Sequence, residues 1–176
     1  LAYAKALKGR RDKMYFGYSW HIRESRFPEW RPAKKLKDGL DEGMKEAGLE
    51  YVDLWRISLL TDSSRHSEAE VEEAVEALDW AKRTGRARFV GFSSHDRPHL
   101  KKLIKAYPDQ VEVILTPYTA KTKVVTDETG LWASIQEQDV GWFGIKPFAS
   151  NSVFKGDSSP DSPHFEEDNR IARLAI

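Results

Sequence analysis

Short apolar runs rich in β-branched and aromatic residues recur along the chain, at 13–19 (KMYFGYS), 51–57 (YVDLWRI), 87–92 (ARFVGF), 111–115 (VEVIL) and 140–146 (VGWFGIK). Each has the length of a strand and lacks strict polar alternation, the pattern of strands covered on both faces. Between the runs the apolar period changes. From Pro32, residues Ala33, Leu36, Leu40, Met44 and Ala47 recur at spacings of three and four up to Gly48, which predicts a helix opened by proline and stopped by glycine. Ser67 and Glu70 have the spacing of a capping box, followed by the stripe Val71, Ala74, Val75 and Leu78 and closed by Gly85. Asp96 predicts the cap of a helix that carries Leu100, Leu103 and Ile104 and ends before Pro108, and 131–138 is a shorter helical stretch.

Strand and helix alternating in this way predict βα units with a parallel sheet. An open doubly wound sheet usually shows a glycine-rich turn after its first strand, and none is present. The strands are instead followed by GYSW, RISL, GFSS, LTPY and IKPF, which put hydroxyls and a lysine at the carboxyl ends, where (β/α)8 barrels build their chemistry. The predicted fold class is α/β, a (β/α)8 barrel of the TIM type. It is incomplete, a single partial domain over 1–176 with about five parallel strands.

Charge and composition narrow the function classes. With 28 Lys+Arg against 28 Asp+Glu the net charge is zero, so no basic field argues for nucleic acid. No apolar run approaches the roughly 18 residues of a membrane span, and no export signal follows Leu1, which together read as cytoplasmic. The absence of cysteine removes disulfides, thiolate metal sites and a cysteine nucleophile. His95 and His99 share the spacing of a helical zinc pair but lack a third ligand, so no metal is expected. Lys34, Lys35 and Lys37, and the run EAEVEEAVE, read as solvated helix faces.

ALKGRRDK, GLEYVDLWRIS, GRARFVGFSSHDR and GWFGIKPFAS, in that order, resemble the aldo-keto reductases, particularly bacterial predicted oxidoreductases of that family. The resemblance implies a barrel binding NADP(H) at the strand carboxyl ends, with hydride transfer to or from a carbonyl or alcohol. It implies a catalytic Tyr, Lys, Asp and His. Ser19 stands where the family has its Lys and Ser58 where it has its His, while the Asp and Tyr belong to segments upstream of Leu1. Ser93 and Ser94 match the turn that holds the nicotinamide carboxamide, Ser94 replacing an Asn. Thr116 replaces a Gln with the same task, and Lys146 lies in the loop near the cofactor pyrophosphate. The family comparison also puts two strands before Leu1 and one after Ile176, since such a fold takes roughly 250 residues.

The expected site is therefore Ser93, Ser94, Thr116 and Lys146 for NADP(H), with Ser19, Trp20 and Ser58 lining the pocket for a small carbonyl or alcohol. Trp30, His21 and Arg23 lie near Trp20, and the segment 155–164 reads as a flap. Edge strands left open predict self-association. Two other readings stand beside the enzyme: a non-catalytic barrel serving as a binding or structural module, and an unrelated barrel using the serines and Lys146 for a phosphorylated ligand.

Overall fold

The computed structural model describes residues 5–6, 8–20, 22–119, 130–157 and 159–174. Five strands pair in chain order, β1 (Gly17–Tyr18), β2 (Val52–Ser58), β3 (Ala87–Ser93), β4 (Val113–Pro117) and β5 (Gly141–Ile145), every neighbour parallel. The order never reverses, so the sheet has no switch point and curls as a barrel wall does, giving half of a (β/α)8 barrel. The helices between strands are α1 (Ala33–Ala47), α2 (Glu68–Arg83), α3 (Arg97–Ala106) and α4 (Leu131–Glu137), with α5 (Phe165–Leu174) after β5.

The helix signals act as the sequence predicts. Ser67 Oγ accepts from the Glu70 N–H at 3.3 Å while the Glu70 carboxylate accepts from the Ser67 N–H at 3.0 Å, closing the capping box of α2. Asp96 accepts from the His99 N–H at 3.0 Å at the start of α3. Gly48 ends α1 at φ +65°, a left-handed conformation that side chains resist.

Three strands lie within one residue of their predicted bounds at each end, and two depart further. Of 13–19 only Gly17–Tyr18 pair, because residues 11–13 form a 3₁₀ turn and the Phe16 N–H donates to the Asp53 carboxylate at 2.8 Å. Run 111–115 starts late, since the Val111 N–H is used by Tyr107 O at the end of α3, and the strand extends to Pro117.

The expectation of cover on both faces holds on one side only among the described residues. Trp55 and Ile57 of β2, Val90 and Phe92 of β3 and Ile114 of β4 point to the helices and join Leu36, Leu40, Leu78, Leu100, Ile104 and Leu131 in one buried core. The alternate positions form the concave face, where Phe89 is 46% exposed and Phe143 54%. No helix of the described residues is long and apolar enough to cross a membrane.

Candidate functional site

Strand pleating sets the concave face. The register pairs Leu54 with Phe89, then Arg56 with Gly91, then Ser58 with Ser93, and carries these rows on to Val113 and Leu115 of β4 and to Gly141 and Phe143 of β5. Polar groups thus collect toward the carboxyl ends. At Gly91 the backbones approach so closely that a Cβ would overlap the Val113 carbonyl, so the position beside Arg56 holds no side chain.

Of the predicted residues, Ser58 and Ser93 face each other across β2 and β3 on the concave side. Ser58 Oγ accepts from Arg56 Nη1 at 3.2 Å. Ser19, after β1, donates its hydroxyl to the carboxylate of Glu24, which is 3% exposed and also lies 3.5 Å from Arg26. The Arg26 N–H donates to Ser58 O at 3.1 Å, so segment 24–26 sits against the end of β2.

Ser94 is 3% exposed, and its hydroxyl donates at 2.8 Å to Ser63 Oγ, with Leu60 O at 3.1 Å, while accepting from the Asp96 N–H at 3.0 Å. His99 Nδ1 lies 2.7 Å from Ser63 Oγ, so one network ties the loops after β2 and β3. Burial pushes His99 below the usual histidine range, only partly offset by Asp96. Thr116 lies on the helix side of β4, fully buried, its hydroxyl without a hydrogen-bond partner among the described residues.

Lys146 follows β5 in a left-handed conformation, φ +59°, and Ala149, Ser150 and Asn151 are also left-handed, a conformation uncommon for non-glycine residues. Its Nζ donates to His95 Nε2 at 3.0 Å. Desolvation and the Lys146 charge both hold His95 below its ordinary range, which favours the neutral imidazole that can accept this bond. The ends of β3 and β5 are joined by this contact.

Trp20 packs edge-on against Tyr18, with the Arg23 guanidinium 4.0 Å over its ring. Arg23 also lies 5.2 Å from the Trp30 ring and pairs with Glu42 of α1. His21 lies outside the described residues. The loop 155–164 is tied at its start to α5, whose Asp168 accepts from the Lys155 and Gly156 N–H groups at 2.8 Å each. No group of three metal-ligating side chains occurs among the described residues.

The residue that sequence reasoning left without a role is Arg56. Burial holds its guanidinium below the ordinary arginine range, with Glu24 favouring the charge from a distance and Arg26 opposing it. No carboxylate lies within ion-pair distance of it among the described residues. Its signal was present: a charge in the middle of YVDLWRIS, where a parallel strand is expected to be apolar throughout.

These features define a parallel β/α half-barrel with its polar groups at the carboxyl end. Residues 21–173 match the model of the Aldo/keto reductase family, and the chain belongs to that family. It is 26% identical over 147 residues to the L-glyceraldehyde 3-phosphate reductase of Escherichia coli K12, a match covering 80% of this chain and 41% of that enzyme. The holo form of aldo-keto reductase AKR11C1 from Bacillus halodurans superposes with a TM-score of 0.65 at 20% identity, over 90% of this chain and 49% of its own. The Bombyx mori aldo-keto reductase AKR2E4, solved in complex with NADP, superposes at 0.63 with 16% identity, over 97% of this chain and 55% of its own. The chain thus spans about half the length of these relatives.

Proposed function

We propose that the whole protein is an NADP(H)-linked oxidoreductase acting on a small carbonyl or alcohol, with this half-barrel forming one wall of its site. The carrying observation is the hydroxyl pair Ser58–Ser93 at the strand carboxyl ends, with Lys146 joined to the β3 loop through His95. The donor set suits a dinucleotide: a partly exposed hydroxyl for an amide and a cation beside a strained turn for a phosphate. NADP(H), when bound, supplies or accepts the hydride. The chain's own residues hold it, with Ser93 contacting the carboxamide, Ser94 bracing that loop, Thr116 shaping the wall from behind and Lys146 neutralising phosphate charge.

The substrate pocket lies over Ser19 and Ser58, bordered by Trp20. A carbonyl that accepts hydride develops oxyanion character, and Ser58, polarised by Arg56, can donate a hydrogen bond to it. Neither serine supplies a cation, so the family's usual proton donor would work here without its Lys and His.

NADPH fluorescence titration tests this reading. Saturable quenching that weakens about tenfold in Lys146→Ala supports it; no quenching at millimolar cofactor sinks it. A second reading, a non-catalytic barrel used as a binding or structural module, draws on Ser19, whose hydroxyl is already engaged by buried Glu24. Cofactor binding without turnover of any carbonyl would favour it. We place the protein in the cytoplasm. The exposed Phe89 and Phe143 support self-association of the isolated chain, which sedimentation checks.

A further inference from the structure

A half-buried guanidinium without a carboxylate is costly to maintain, because desolvation weakens its hydration and nothing replaces it. Several other arginines drawn into the fold have carboxylate partners, and Arg97 has the Pro117 carbonyl at 2.8 Å. Arg11 and Arg88 pair with Asp53 at 2.8 and 3.0 Å, Arg31 with Glu70 at 2.7 Å, and Arg86 with Asp41 at 2.5 Å. Arg56 has the Ser58 hydroxyl, a neutral acceptor. Its neighbour across the strand is Gly91, which sets no side chain beside it because the Val113 carbonyl lies where a Cβ would be, and one row nearer the carboxyl end stand Ser58 and Ser93. Ser93 is partly exposed, and its hydroxyl makes no hydrogen bond with another described residue. Glu24, the acid that favours the Arg56 charge, is already held by Ser19 and Arg26.

We propose that Arg56, Ser58 and Ser93 form an anion-binding notch on the concave face, and that the substrate of this site carries a small carboxylate or phosphate group. A guanidinium presents several N–H donors in a fixed fork, of which one is used by Ser58, and one row nearer the carboxyl end the Ser58 and Ser93 hydroxyls add neutral donors when no carbonyl or carboxamide engages them. Both oxyanions satisfy that set. In naming a substrate class the inference rests on the oxidoreductase reading; the anion site itself does not.

The test is a titration of the chain, free of NADP(H), with malonate and with inorganic phosphate, followed by amide NMR shifts and calorimetry, glycerol serving as the uncharged control. Saturable binding with shifts centred on Arg56, Gly91 and Ser93, weakened at least about tenfold by Arg56→Gln, is the expected result. Binding of malonate alone assigns a carboxylate, and of phosphate alone a phosphate group. Failure of both anions to bind, or an affinity unchanged in Arg56→Gln, overturns the proposal. If that variant does not fold, Ser93→Ala decides: weaker binding supports the notch and unchanged binding overturns it. Because no cofactor is present, a failure of NADPH binding leaves this outcome untouched.

Discussion

The two faces of the sheet are made from alternate residues of the same strands, yet they do different work. On β3, Val90 and Phe92 are fully buried under the helices, while Phe89 and Ser93 open onto the concave side. The helix face is closed by shape: aliphatic and aromatic groups interlock, and nothing polar is asked of them beyond the backbone ladder. The concave face keeps an unpaired arginine and two hydroxyls, groups that packing alone does not explain. Stability is thus concentrated on one side of each strand and chemistry on the other.

The sharpest way to break that comparison is a pair of truncations three residues apart. Phe92→Ala removes a fully buried ring and is expected to cost about 3–5 kcal/mol. Phe89→Ala, at 46% exposure, is expected to cost under about 1 kcal/mol. Denaturant melts of the two variants check this. Equal losses would mean that the concave face is packed in solution.

The helix face was legible in the sequence because its cues are local. Ser67 and Glu70, Asp96, and Gly48 each mark an end through groups within four residues, and the structure uses all of them. The strands were legible as elements, but their ends depended on distant partners: the Phe16 N–H goes to the Asp53 carboxylate, far along the chain, while its carbonyl still accepts from the Leu54 N–H. The concave site was half legible. Ser58 and Ser93 were picked out one by one, yet that they share a row follows only from register. Ser94 and Thr116 looked equivalent to Ser93 as polar strand-end residues, and pleating turned Thr116 to the helices while the β2 loop enclosed Ser94.

The amino end of β2 offers a contrast with Arg56, on the helix-facing side of the same strand. Asp53 is 5% exposed and is met by Arg11, Arg88 and the Phe16 N–H. Burial alone would raise its carboxyl, but these partners outweigh it and hold it below the usual range. A carboxyl depressed in the folded state contributes stability above its unfolded value and loses it as pH falls through the folded one. Asp53→Asn is therefore expected to cost about 1.5–3 kcal/mol at neutral pH and to flatten the acid limb of the stability profile. Thermal melts from neutral to acidic pH check it. An unchanged acid limb would remove the distinction between a closed, paired amino end and an open carboxyl end.

Neighbouring serines sharpen the comparison at its finest scale. Ser94 Oγ holds Ser63, Leu60 O and the Asp96 N–H inside the protein, so Ser94→Ala strands buried donors and acceptors and is expected to cost about 1–2 kcal/mol. Ser93 makes no such bonds, so Ser93→Ala is expected to leave the melt within about 0.5 kcal/mol and to act on ligand affinity instead. The diagnostic is the crossing of two readouts: stability moves with Ser94, while NADPH or anion binding moves with Ser93. If Ser93→Ala lowers stability as much as Ser94→Ala does, the concave hydroxyl is a packing element, and the division of labour between the faces stops short of the strand ends.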